Sequence, residues 1–325
     1  MATSSSAAEE GAGVALDSNI AAHLPRMAQL HPEKRAMSLP AGTGPEGKLL
    51  WTHLSFAELD SLSNSYAQGL ERVGIARGVR TILMVKPSVE FFALVFALFK
   101  IGAVVVMIDP GMGKRSLKQC LREVEPEAFI GVPLAQVARL VFRSSLRSVH
   151  TVVTVGPRWF WGGHRLRNLI DPEPAAWTMA ETQPEEVAAI LFTSGSTGVP
   201  KGAVYTHGMF DAQVRMLRSM YGFGADEIDL PTFPLFALFD PALGMTAVIP
   251  DMDARKPGSA DPAKLVDAIE AHGCTNMFGS PALLRNLGRY GLEQGVRLPS
   301  LRRVLSAGAP ARLDVLEAVS GMLSD

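Results

Sequence analysis

The chain has 325 residues, 47% apolar and 19% charged, a balance that excludes intrinsic disorder and provides for a large core in one or two domains. Its 31 Lys/Arg against 32 Asp/Glu leave a net charge of −1, without the cationic excess that general nucleic-acid binding needs. Cys120 and Cys274 are too few for a disulfide scaffold and point to a reducing, cytoplasmic setting, and no Cys-x-x-Cys metal motif occurs.

Met1 to Val14 is rich in Ser, Ala and Gly, carries Glu9 and Glu10, and has neither a basic start nor an apolar stretch. It predicts a disordered tail over 1–17 rather than a signal peptide. Phe56 to Arg72 has the periodicity of an amphipathic helix ended by Gly74, and Val79 to Val85 is a strand. Phe91 to Ile108 is apolar and about as long as a membrane span. Lys100 in its middle, Gly102, and the closing Asp109-Pro110-Gly111 divide it instead into a buried helix, a turn, and a strand from Ala103 to Ile108. Continuous apolar strands of this kind are typical of parallel sheets.

Lys114 to Glu123 predicts a helix stopped before Pro126, and Ala128 to Val132 and Ser148 to Val155 predict strands. Arg158 to Pro174 is irregular and reads as a linker between subdomains at about 18–170 and 171–325. Val187 to Phe192 and Gly202 to Thr206 are strands around a Gly/Ser/Thr loop. Asp261-Pro262 and Ser280-Pro281 each supply an N-cap and a first-turn proline for a helix, the first running through Ala271 to Gly273. Arg303 to Ser306 is a strand and Arg312 to Val319 a helix. This alternation predicts an α/β fold with mostly parallel sheets flanked by helices.

The strongest chemical signal is Thr193-Ser194-Gly195-Ser196-Thr197-Gly198-Val199-Pro200-Lys201, with four hydroxyls, two glycines and a lysine in nine residues. Glycines permit positive φ, so that successive backbone N–H groups form a concavity for anions, to which hydroxyls add donors and lysine a point charge. The chemistry implied is the cradling of a nucleoside triphosphate. A Walker A loop puts Gly directly before Lys and opens a helix. Here Pro200 precedes Lys201, and Gly202-Ala203-Val204 continues as strand. A bland Ser/Gly surface turn rarely combines these residues between two apolar strands.

Leu191 to Thr206 resembles the AMP-binding signature of the superfamily of acyl- and aryl-CoA synthetases, adenylation domains and luciferases. His207 is similar to the histidine that closes that signature. Phe278-Gly279-Ser280-Pro281 resembles the segment at the acyl pocket, and Leu305-Ser306-Ala307-Gly308-Ala309-Pro310 the segment whose backbone passes the adenine. Thr232 to Gly244, with Val248 to Asp253, resembles the β-lactone-forming branch that serves bacterial long-chain olefin biosynthesis. Many acyl-CoA ligases carry histidine after a Pro-Leu-Phe triplet, where this chain has Ala237.

The resemblance implies that a carboxylate attacks the α-phosphate of Mg-ATP, giving acyl-adenylate and pyrophosphate. Thr193 and Lys201 would act on the reacting phosphates, with Ser194, Gly195, Ser196, Thr197 and Gly198 holding them. Ala307, Gly308, Ala309 and Pro310 would line the adenine. His207, Phe233, Phe236, Phe239, Gly279 and Ser280 would bound the acyl group. ATP and Mg2+ are the implied cofactors, with no metal-ligating side chain assigned in this stretch. In the lactone branch the acid is a long-chain β-hydroxy acid, and its own hydroxyl expels AMP. The family's large domain continues with a magnesium-binding glutamate, then a mobile small domain with a lysine. The chain is therefore expected to be a partial domain, inactive alone.

The competing readings are a fatty-acyl-CoA ligase, separated by its need for a thiol acceptor, and a non-catalytic nucleotide- or acyl-binding module. Expected partners are the acid, enzymes of the same lipid pathway, no nucleic acid, and at most a peripheral membrane contact. Arg139, Arg143 and Arg147, spaced as on one helix face, and Arg158-Trp159-Phe160-Trp161 with Arg165 and Arg167, read more readily as a solvated face and an aromatic-anchored loop than as a lipid patch.

Overall fold

The computed structural model describes residues 18–45, 47–109, 112–170, 177–193 and 201–323. The expected tail over 1–17 and the loop 194–200 lie outside the described residues. Helix α1 (His23–Leu30) leads into a hairpin of β1 (Arg35–Thr43) and β2 (Leu49–Ser55). Ser55 starts α2 (Phe56–Arg72) with a capping box: its hydroxyl accepts from the Glu58 amide, and the Glu58 carboxylate accepts from the Ser55 amide. There follow β3 (Arg80–Met84), α3 (Val89–Lys100), β4 (Val104–Ile108), α4 (Lys114–Glu123), β5 (Ala128–Gly131), α5 (Pro133–Val141), β6 (Thr151–Thr154) and β7 (His164–Arg165). Next come β8 (Val187–Thr193), β9 (Lys201–Thr206), α6 (His207–Tyr221), β10 (Ile228–Pro231), α7 (Asp240–Leu243) and β11 (Thr246–Val248). The described chain ends with α8 (Pro262–His272), β12 (Asn276–Phe278), α9 (Pro281–Gln294), β13 (Arg303–Leu305) and α10 (Leu313–Ser320).

Two sheets organise these elements. One has the order β7-β6-β5-β3-β4-β8-β9, the other β13-β12-β10-β11-β1-β2. Every pairing among them is parallel except the hairpins β1–β2 and β8–β9. The sheets do not divide the chain at 170/171. β8 and β9 complete the sheet begun at β3, while β1 joins β11, about two hundred residues later, in the other sheet. The arginine stripe also departs from expectation. α5 ends at Val141, Arg143 begins a 3-10 turn, and Arg147 lies beyond it, so the three side chains share no helix.

α3 is buried on every side, which explains its membrane-like composition. No described helix is long and apolar enough to cross a membrane. The largest core joins α2, α3, β1, β4 and β8 between the sheets. Contact there is close: a β-carbon on Gly69 of α2 would lie 2.8 Å from the Leu169 β-carbon, and nearer still to the Leu169 carbonyl oxygen. Gly69→Ala should therefore destabilise by about 2 kcal/mol or more, against about 1 kcal/mol gained in helix propensity. Urea unfolding should show a lower midpoint with an unchanged slope. A midpoint equal to wild type would mean that the helix can move away.

Candidate functional site

β8 and β9 form an antiparallel hairpin in which Thr193 faces Lys201 and Phe192 faces Gly202. The described ends of the motif are thus two paired strands, as its sequence predicts. Gly202 allows this closeness, since a β-carbon there would lie 3.0 Å from the Phe192 ring. Lys201 is exposed at the base of the loop. Ser194, Gly195, Ser196, Thr197 and Gly198 lie outside the described residues, as does the Thr193 side chain. Because β8 runs parallel to β4, the loop leaves from the carboxyl edge of its sheet, beside Asp109. Open α/β sheets bind ligands outside that edge.

The second sheet presents the carboxyl ends of β10, β12 and β13, stitched together side by side. The Thr232 amide and hydroxyl both donate to the Phe278 carbonyl, at 3.2 and 2.7 Å. The Gly279 amide donates to the Leu305 carbonyl at 2.9 Å. Arg255, in the loop after β11, has its pKa raised by hydrogen bonds from its guanidinium to Asp253 and, more weakly, by the charge of Asp109 at the end of β4. The carboxyl ends of β4 and β11, one from each sheet, therefore lie within electrostatic reach of each other.

The expected acyl residues divide into two groups. Phe233 and Phe236 are exposed at the end of β10, with ring centroids 5.2 Å apart, and Phe236 stands edge-on to Phe278 at 4.4 Å. Phe239 turns away, edge-on to Phe210 at 5.9 Å, and Phe210 stacks on Tyr205 at 5.2 Å. Gly279 is buried, and a β-carbon there would meet Leu284 at 2.7 Å. Ser280 caps α9, its hydroxyl accepting from the Leu283 amide. Ala307, Gly308, Ala309 and Pro310 are exposed beyond β13, and Gly308 takes a φ of +93° with open space around it. Ala237 is fully buried in a 3-10 turn.

His207 sits in the core, not at an opening. Its Nδ1 accepts from the Ile20 amide at 3.2 Å, so the ring proton is on Nε2, which has no partner among the described residues. Burial lowers its pKa to about 4 and keeps it neutral at pH 7. The ring ties the start of the described chain to the end of the hairpin.

Sequence reasoning missed three buried acids beneath the β10 end. The signal available was a polar alternation, Glu227-Ile228-Asp229, in an otherwise apolar strand. Burial opposes ionisation of Glu227, but donation from Thr275 and Asn276 and the Arg303 charge prevail and lower its pKa. Burial raises Asp229 to about 7, and the neighbouring Glu227 adds to this. Asp240 is raised well above the ordinary range by burial and by Asp229, and its Oδ2 has no partner among the described residues.

A raised carboxyl holds its proton longer folded than unfolded. Its stabilising effect is complete below the unfolded value near 4 and is lost as pH rises towards 7. Asp229→Asn should therefore gain on wild type between pH 4 and 7, by on the order of 4 kcal/mol at the upper end, with no further change above. Melting temperatures across that range test this. Parallel curves for the two proteins would mean that Asp229 is not protonated in the fold.

The AMP-binding enzyme family matches residues 24–325. An olefin beta-lactone synthetase from Xanthomonas campestris pv. campestris is 52% identical over 307 residues, which are 94% of this chain and 54% of that protein. One from Stenotrophomonas maltophilia is 52% identical over 308 residues, 94% of this chain and 55% of that protein. The chain thus spans about half the length of these curated relatives. In fold it is similar to a long-chain-fatty-acid-CoA ligase from Archaeoglobus fulgidus, with a TM-score of 0.79 at 20% identity, covering 93% of this chain and 60% of that one. With the signature hairpin in place and the family matched from residue 24 to 325, the chain belongs to the AMP-binding enzymes.

Proposed function

We propose that this chain supplies the ATP- and acid-binding region of an AMP-forming ligase that activates a long-chain β-hydroxy acid as its adenylate. The activated acid then closes to a β-lactone. The observation that carries this reading is the hydroxyl- and glycine-rich hairpin with Lys201 at its base, in a chain half identical to two olefin beta-lactone synthetases. Exposed Lys201, and Gly308 with open space around it, fit a nucleotide lying across the carboxyl edges of both sheets. Mg2+ is held largely through substrate phosphates and one or two carboxylates, and neutralises phosphate charge when bound.

In this reading the protein needs no nucleophile of its own. The acid oxygen attacks the α-phosphorus and pyrophosphate leaves; the β-hydroxyl oxygen then attacks the acyl carbon, AMP leaves, and the hydroxyl proton is lost. Loop donors and Lys201 stabilise phosphate charge, and exposed Phe233 and Phe236 border an apolar approach for the chain of the acid. Ala237 is buried and offers no imidazole where many thiol-using relatives carry one.

The test is product analysis in protein of the relatives' full length. A long-chain 3-hydroxy acid with Mg-ATP should yield AMP and lactone without CoA, and the acid lacking the 3-hydroxyl should yield no lactone. AMP release that requires CoA, with a thioester as product, would instead establish an acid–thiol ligase.

A further inference from the structure

The loop between β6 and β7 holds aromatic side chains out into solvent on a rigid base. Trp161 is buried at 5% exposure, and its indole N–H donates to the Thr154 hydroxyl at 2.9 Å. Trp159 and Phe160 pack against it with ring centroids at 5.4 and 5.2 Å, yet remain 58% and 77% exposed. The Arg158 guanidinium donates to the Gly163 carbonyl and closes the loop. Gly163 has a φ of +91° and sits against Val152, so the turn is tight. Beside it begins α5: Pro133 lies next to Gly156, and the following Leu134 is 76% exposed. Rigidly presented aromatic residues at the tip of a loop are not the scattered apolar side chains of an ordinary surface.

The segment that carries the loop is basic. No Asp or Glu occurs from Ala128 to Ile170, while six arginines do. Over 112–170 there are ten Lys/Arg against three Glu, in a chain whose net charge is −1. Arg158 and Arg165 flank the tip half-buried and Arg167 is exposed beside it, whereas Arg143 and Arg147 precede β6 at the opposite, amino edge. α4, α5 and the turn after it share one core cluster, so this basic segment covers one face of its sheet.

We propose that this edge docks on an anionic lipid bilayer, Trp159, Phe160 and Leu134 entering the interface and Arg158, Arg165 and Arg167 beside them meeting lipid phosphates. Indole and phenyl side chains favour the headgroup boundary, and exposed basic residues are drawn to anionic leaflets. A projecting tip suits insertion, and a loop with three arginines and no acid over 158–170 complements an anionic surface. The tip lies on the same carboxyl edge as the hairpin loop, with β5, β3 and β4 between β6 and β8. At roughly 4.8 Å per strand this is about 20 Å, so an acid leaving the bilayer enters close to the site proposed above. The docking itself does not depend on which acid is activated.

Flotation of the purified protein with phosphatidylcholine vesicles, with and without phosphatidylglycerol, tests this at low salt. The protein should float with the anionic vesicles, and brominated lipid should quench Trp159, an effect lost in Trp159→Phe. Trp159→Ser with Phe160→Ser should weaken partitioning at least tenfold. Arg167→Glu should weaken it at least tenfold, with melting unchanged because all three side chains are exposed. Absence of vesicle binding, or equal partitioning of wild type and both variants, would overturn the proposal.

Discussion

Lys100→Ala is expected to lower folding stability by about 3–5 kcal/mol. Lys100 ends a helix that is apolar from Phe91 to Phe99 and is itself 1% exposed. Its Nζ donates to Asp60 Oδ1 at 2.6 Å, Ser63 Oγ at 2.8 Å and Asn64 Oδ1 at 2.6 Å, with the Asp60 carbonyl at 3.2 Å. Burial pulls its pKa down, and the Asp60 charge and hydrogen bond oppose that. The ammonium is thus fully surrounded, and it pins α2 to α3 at the centre of the core. Alanine leaves a carboxylate and two polar side chains without their donor and opens a cavity. Lys100→Met keeps most of the packing, and adding Asp60→Asn removes the unpaired charge. The double variant should therefore recover part of the loss in urea unfolding. A loss below about 1 kcal/mol for Lys100→Ala would mean that water replaces the ammonium at no great cost.

Lys201→Ala is expected to weaken ATP binding by roughly ten- to a hundredfold, the range of a charge-assisted hydrogen bond. Its effect on folding should stay below about 0.5 kcal/mol, because Lys201 is exposed and contributes little packing. Calorimetric titration of ATP and a melting curve on the same samples separate the two. Equal affinity for wild type and variant would remove Lys201 from the site.

Local signals carried the reading of the sequence a long way. The predicted helices 56–72 and 114–123 coincide with α2 and α4, and the Asp261-Pro262 and Ser280-Pro281 starts with α8 and α9. Each has apolar periodicity and a stop, or a capping signal, within its own residues. The β8–β9 hairpin was legible because its two apolar strands flank a short stretch rich in glycine and hydroxyl residues. What failed was non-local. β1 carries Pro40 and Gly42 and breaks the alternation of a strand, yet it is held by β2 and β11. Its pairing with a strand about two hundred residues away moved the sheet boundary from where the irregular segment suggested.

Phe239 parts from Phe233 and Phe236 for a related reason. Phe233, Phe236 and Phe239 have the spacing of one helical face, but a short 3-10 turn at 236–238 is followed at once by α7. That change of direction sends Phe239 towards Phe210. His207 looked like a site residue from its place in the motif, and its burial arises from Ile20 and Phe99, distant in sequence. Asp229 and Asp240 acquire their raised pKa values only from the fold that buries them together.

The central claim is that this fold activates an acid on ATP, and its most direct test is exchange of labelled pyrophosphate into ATP in protein of the relatives' full length. Exchange should require Mg2+ and a long-chain 3-hydroxy acid, saturate with both substrates, and fall at least tenfold in Lys201→Ala at subsaturating ATP. No acid-dependent exchange in protein that binds ATP, or exchange unaffected by Lys201→Ala, would contradict the account.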